Sequence, residues 1–274
     1  MTDIEKFVDE FVCDLNCPRN CCLQSEGGGF IEGDYELVKQ SDGKPLCDGS
    51  VFHLRESLES CEEGIRFRQD GSGVCIFFQD EKCLLQASLG RDALPYECRE
   101  YPRNVTRFMG HTDKMLDPVC PHAAELIMSA DTQFWDYMTR VIEPDPEGLF
   151  AKRREIILTL RDEGLSLPEA LNRICSAYGP GRCCSGDIPL PPETEPIIRH
   201  LFACMLFGNL FFFGYDRRLF AGQAKLDSVV SAWMYDYLSQ IPDLNRGNLR
   251  LYFNRAYYDC LDKTLAFKRC DLPD

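Results

Sequence analysis

The chain has 274 residues, enough for one large domain or two modest ones with ample core. Its 44 acidic residues against 30 basic ones give a formal charge of −14, which disfavours phosphate backbones and anionic lipid and suits a basic, lysine-presenting partner. Sixteen cysteines are many for this length. The start has neither the basic nor the apolar region of a signal peptide, so the thiols are expected in a reducing cytosol, where metal binding or catalysis outranks a disulfide framework.

In chain order, Phe7, Phe11 and Val12 lead into a dense group, Cys13, Cys17, Cys21 and Cys22. The spacing would align three of these on one helix face, but Pro18 interrupts it, and a loop is the expected conformation. Adjacent Cys21 and Cys22 diverge in most conformations, so only one is expected on a given ion. The spacing is neither the C-x3-C-x2-C of radical enzymes that use S-adenosylmethionine nor a ferredoxin run. The glycines from Gly27 to Gly33 lack the G-x-G-x-x-G of a nucleotide cradle and read as a turn.

Asp34–Gln40 reads as a helical turn, followed by a loop. Cys47, His53 and Cys61 are read as single structural residues, with added ligands as the other possibility. Ile65–Arg68 and Val74–Phe77, around the turn Gln69–Gly73, read as a small hairpin. Cys75 and Cys83 then fall at strand ends and turns, beside a short helix Leu84–Leu89. Ile76, Phe77, Phe78, Leu84 and Leu85 sit next to the thiols, as the apolar shell of a metal site does; ordinary buried cysteines are the bland alternative.

Next come Cys98-Arg99-Glu100-Tyr101-Pro102-Arg103 and Leu116-Asp117-Pro118-Val119-Cys120-Pro121-His122. Arg99 or Arg103 is suited to holding a carboxylate or balancing an anionic thiolate cluster, and equally to a surface ion pair. His122, at a helix start, is more often a cap or surface group. From Ala123 the period is helical: through Ile142 to the break at Pro144, then Leu149–Glu163, then a helix opened by the capping box Ser166-Leu-Pro-Glu169. A Pro- and Gly-rich linker, Gly179–Pro196, carries Cys183-Cys184. Three more helices are expected at Pro196–Gly214, Leu219–Gln240 and Asn245–Phe267, with Cys175, Cys204 and Cys260 in their core. The run Leu201–Phe213 reads as a buried helix, too short for a bilayer. The predicted fold is mainly α: a cysteine-rich region with short strands over 1–125, then a helical domain over 126–274.

Three stretches together resemble the flagellin lysine-N-methylase family. They are Cys75-x-Phe, a turn and Cys83; Leu94-Pro-x-x-Cys98-Arg-x-Tyr-Pro-Arg103; and Leu116-Asp-Pro-Val-Cys-Pro-His-Ala-Ala-Glu-Leu126. Leu160–Ile174 is similar to the helical part of the same family, so the likeness spans residues 13 to 178. The family sits within a wider group of zinc- or iron-chelating proteins marked by a clustered CxxCxCC-type motif.

The resemblance implies a cysteine-bound iron–sulfur cluster, with 4Fe-4S first and zinc as the alternative, and S-adenosylmethionine-dependent methylation of flagellin lysines. The two dense thiol groups, Cys13, Cys17, Cys21, Cys22 and Cys75, Cys83, Cys98, Cys120, are expected to come together as ligands and their surroundings. Tyr101 and Arg103 are the candidate catalytic residues, Tyr101 by position alone, because a lysine amine must lose its proton. Methyl transfer is not visible in the residues themselves, which lack the strand–GxG–helix signature of doubly wound methyltransferases. The rivals are a non-enzymatic protein that handles iron or zinc or senses redox state, and a structural zinc module.

Overall fold

A computed structural model of the protein describes residues 3–13, 30–61, 64–80, 82–108, 110–130, 133–145, 147–178, 183–212 and 217–271. Among them are eleven α-helices and six short strands, so the fold is mainly α. The chain divides into two compact units, Val12–Tyr101 and a second made of Met1–Phe11 with Pro102–Asp274. The first helix, α1 (Asp3–Asp9), belongs to the second unit.

The Val12–Tyr101 unit is built from short pieces: α2 (Asp34–Lys39), β1 (Leu58–Cys61), β2 (Gly64–Phe67), β3 (Phe78–Gln79), β4 (Lys82–Cys83), α3 (Leu84–Leu89) and α4 (Tyr96–Glu100). They cover a core of Val38, Leu46, Phe52, Leu54, Phe67, Phe77, Leu84, Leu85 and Leu94. Phe67 meets Phe30 and Phe77 edge-on, each at 5.1 Å, the arrangement that ring quadrupoles favour. The buried Asp34 carboxylate accepts N–H bonds from Ile31 (3.0 Å) and Tyr96 (2.9 Å), tying the start of α2 to the start of α4.

One expectation holds only in part. β2 pairs antiparallel with β1, Leu58 opposite Phe67 and Cys61 opposite Gly64, and not with Val74–Phe77. The predicted segments do meet across the turn, at the bridge Gln69–Cys75, where the Asp70 N–H donates to the Val74 carbonyl (2.8 Å) and the Ile76 N–H to the Arg68 carbonyl (3.1 Å). The Asp70 carboxylate gathers the Ser72 N–H (2.8 Å), the Ser72 hydroxyl (2.7 Å) and the Val74 N–H (3.1 Å), shaping the turn between the two segments.

The second unit carries β5 (Arg103–Phe108) and β6 (His111–Leu116), paired antiparallel, then α5 (Pro121–Ala130), α6 (Gln133–Met138), α7 (Leu149–Arg161), α8 (Leu167–Tyr178), α9 (Glu195–Phe212), α10 (Arg217–Leu238) and α11 (Leu249–Asp271). Helix α9 is the axis; α5, α6, α7, α10 and both strands pack on it. Gly208 lets the hairpin approach closely: a Cβ there would meet Asn104 Nδ2 at 2.8 Å. Cys175, Cys204 and Cys260 are fully buried, as their helical faces predict. Glu169 accepts both the N–H (2.8 Å) and the hydroxyl (2.6 Å) of Ser166, as the capping box requires of the glutamate.

The helix read through Ile142 ends instead at Met138. Arg140 leaves the helical path to lie over the Tyr137 ring, 3.8 Å away, and pair with Asp113 on β6. Among the described residues no helix is long and apolar enough to cross a membrane.

Candidate metal centre

Three of the predicted thiols border one core. Cys75, Cys83 and Cys98 are all half-buried and pack against the apolar cluster of the Val12–Tyr101 unit. Each arrives on a different device. Cys75 follows the Asp70 turn and forms the bridge to Gln69. Cys83 ends the ladder opposite Phe78 and caps α3, its Sγ accepting the Gln86 N–H at 3.5 Å. Cys98 sits within α4. Between β3 and β4, Asp80 takes a positive φ of 48°, the left-handed backbone that Asp tolerates better than most side chains.

The remaining candidates are placed differently. Cys13 is exposed, while Cys17, Cys21 and Cys22 lie outside the described residues. Cys120 belongs to the other unit; it is buried at the start of α5, its carbonyl accepting the Ala124 N–H at 2.8 Å. Cys47 is exposed and its N–H donates to Ser88 Oγ. Among the described residues no three Cys, His, Asp or Glu side chains converge as ligands of one ion. The donor chemistry itself fits a cluster or zinc: soft sulfurs at an apolar edge, partly screened from water.

The residues singled out for catalysis have local partners. Arg103 donates through Nε to the Val8 carbonyl at 3.0 Å and through Nη2 to the Phe11 carbonyl, and lies over the Phe11 ring at 5.3 Å. It thus neutralises the carbonyl end of α1. Arg99 donates to the Leu94 carbonyl and to Glu100, both at 3.4 Å. Tyr101 is half-buried and closes α4 through its N–H to the Glu97 carbonyl.

One titratable group was missed from sequence. Burial raises the Asp117 carboxyl from 3.8 to about 6, opposed by the Val119 N–H it accepts at 2.9 Å. Val119 is itself anchored, its carbonyl accepting Asn254 Nδ2 at 2.7 Å. The only sequence signal was an aspartate set between Leu116 and Pro118 in an apolar stretch. In the same unit a cleft of about 750 Å³ opens beside Trp135, His200, Arg161, Glu163 and Arg246. His200 stacks on Trp135 at 5.2 Å and 22° along its wall.

Comparison with family models, characterised proteins and solved structures finds no match for the chain.

Proposed function

We propose that the protein is an S-adenosylmethionine-dependent lysine methyltransferase acting on flagellin, with an iron–sulfur cluster bound by the Val12–Tyr101 unit. The observation that carries this reading is the gathering of Cys75, Cys83 and Cys98 around one apolar core, within the segments that resemble the methylase family. A cubane takes four thiolates. Cys75, Cys83 and Cys98 would contribute some of these, with the rest from Cys13, Cys17, Cys21 or Cys22 in the same unit. Zinc, which also takes four such ligands, is the alternative occupant.

S-adenosylmethionine supplies an electrophilic methyl group; this chain must offer the lysine as a neutral amine and take up its proton. Asp117 is suited to that task, because a base with a value near 6 is ionised at neutral pH yet still basic. Tyr101 stays a candidate by position. The cleft beside Trp135 and His200, which Asp117 does not line, has the volume of a small-molecule site and is a candidate for the methyl donor. The charge of −14 favours a lysine-bearing partner.

The test is anaerobic purification with iron, sulfide and zinc analysis, followed by incubation with flagellin and methyl-labelled S-adenosylmethionine. Label is expected in flagellin lysines, and Cys83→Ser or Cys98→Ser should remove iron, colour and labelling together. Iron and sulfide without any labelled protein would establish the metal-handling reading instead, and zinc without sulfide the structural module.

A further inference from the structure

Outside the proposed centre, a second group of thiols lies in the helical unit, where the sequence left the pair Cys183-Cys184 without a role. Asn172, on α8, stands one turn before Cys175. Its Oδ1 accepts the N–H groups of both Cys183 and Cys184 at 2.9 Å, and its Nδ2 donates to the Cys184 carbonyl at 3.0 Å. One side chain therefore clamps the loop onto α8 beside Cys175, and the Cys175 and Cys183 side chains lie within hydrogen-bond reach of each other.

The neighbouring thiol is turned elsewhere. Cys184 Sγ lies 3.5 Å from Asp236 Oδ1 on α10, and the same carboxylate accepts the Ser185 N–H and hydroxyl, the latter at 2.8 Å. Tyr235 adds a bond to the Ile188 carbonyl at 3.2 Å. The loop is thus fixed between α8 and α10, with Cys183 half-buried and Cys175 and Cys184 buried.

We infer that Cys175 and Cys183 are a reversible redox pair, closing a disulfide between α8 and this loop when a hydroperoxide reaches Cys183. Exposure sets the order of events: Cys183 is the thiol an oxidant can meet, and Cys175 waits behind it. Burial, with the adjoining Cys183 thiol second, pushes the Cys175 thiol above its ordinary value, which holds Cys175 as the thiol.

In the first step the Cys183 sulfur attacks the peroxide oxygen. The O–O bond breaks, sulfur gains a hydroxyl as sulfenic acid, and water leaves with the thiol proton when hydrogen peroxide is the oxidant. In the second, the Cys175 sulfur attacks that of Cys183. The S–S bond forms, the S–O bond breaks, and the Cys175 proton leaves with the hydroxyl as a second water. Two thiols lose two electrons to one peroxide. Held proximity offsets the weak nucleophilicity of a protonated Cys175. Closure between Cys183 and Cys184 is disfavoured, since the Cys184 thiol faces Asp236.

The sequence makes the test direct. Trypsin cuts after Arg173, Arg182 and Arg199, so Cys175 and Cys183 fall on separate peptides, 174–182 and 183–199. The reduced full-length protein is treated with limiting hydrogen peroxide, blocked with N-ethylmaleimide and digested without reduction. The joined pair of peptides should rise from a trace to the major form, with fragment ions placing the bond on Cys183, and revert with dithiothreitol. It should persist in Cys184→Ser and vanish in Cys183→Ser. A bond confined to peptide 183–199, a joined pair that survives Cys183→Ser, or oxidised but unlinked Cys183 in the wild-type protein would overturn the proposal. The wild-type map decides the matter even where a variant folds poorly, and none of these readings depends on the methyltransferase activity.

Discussion

In the helical unit, every residue from Leu201 to Phe207 on α9 is at most 3% exposed, and six other elements close around that axis. Among the described residues of the Val12–Tyr101 unit no helix exceeds six residues and no strand exceeds four. Isolated helices shorter than about 12 residues are marginal in water, and so are two-stranded ladders. The helical unit therefore rests on long amphipathic elements that bury one another. The smaller unit must rest on links between pieces that would not persist alone: the Asp34 bonds to both Ile31 and Tyr96, the aromatic cluster around Phe67, and the thiols at its border. A bound metal or cluster is the kind of link such a unit needs.

The sharpest way to break this contrast is to remove the proposed metal or cluster. Anaerobic chelation, or Cys98→Ser, is expected to unfold the small unit and leave the helical one intact. Where metal binding and folding are coupled, the loss is on the order of 10 kcal/mol. Hydrogen exchange read by mass spectrometry should show amides of 64–101 losing protection while those of 196–238 keep theirs. Retained protection over 64–101 in metal-free protein would show that apolar packing alone holds the unit.

The next effect tests the other side. In the helical unit the buried Asp113 carboxylate faces Arg153 Nη1 at 2.6 Å and also pairs with Arg140. Burial lowers these guanidinium groups to about 9 and about 10 respectively, which leaves both charged at neutral pH. Arg153 lies over the Phe207 ring at 4.1 Å, so α9 is part of the same cluster. Asp113→Ala removes the carboxylate from between two cations and should cost about 3–5 kcal/mol in urea unfolding. A loss under about 1 kcal/mol would mean that water reaches the arginines and that this unit stands on its apolar axis alone.

What could be read from the sequence follows the range of the forces involved. Helices α7 to α11 were legible because spacing, the Ser166 box and the Pro- and Gly-rich breaks are local signals. Helix α3 was legible down to its ends, bounded by Cys83 and Gly90. The partner of β2 was not, because β1 is only four residues long and carries no strand signal of its own. The Asp113 cluster could not be seen at all: its arginines stand 27 and 40 residues away, and charged residues usually mark a surface. At the candidate site the thiols declared themselves by density and spacing. The role of Arg103 did not, since it proves to be bound to the end of α1.

The smallest effect concerns Asp117, and it joins stability to chemistry. Its carboxyl is raised from 3.8 to about 6, chiefly by burial, so between those values the folded chain holds a proton that the unfolded chain has released. The stability this confers is complete below pH 3.8 and is lost as pH rises through about 6. Each tenfold gain in proton affinity on folding corresponds to about 1.4 kcal/mol, and discounting for a side chain only half-buried leaves about 2 kcal/mol. Asp117→Asn keeps an acceptor for the Val119 N–H but carries no charge to bury. It should be more stable than the wild type by that amount at pH 7.5 and equal to it near pH 3.5, as read from urea midpoints across the range. If Asp117 also takes the lysine proton, the same variant should lose methyl transfer by about 100-fold or more. A substitution that stabilises the fold and removes the activity cannot be explained by unfolding. A pH-independent stability difference would show that the carboxyl is well hydrated, and full activity in the variant would move the proton acceptor elsewhere.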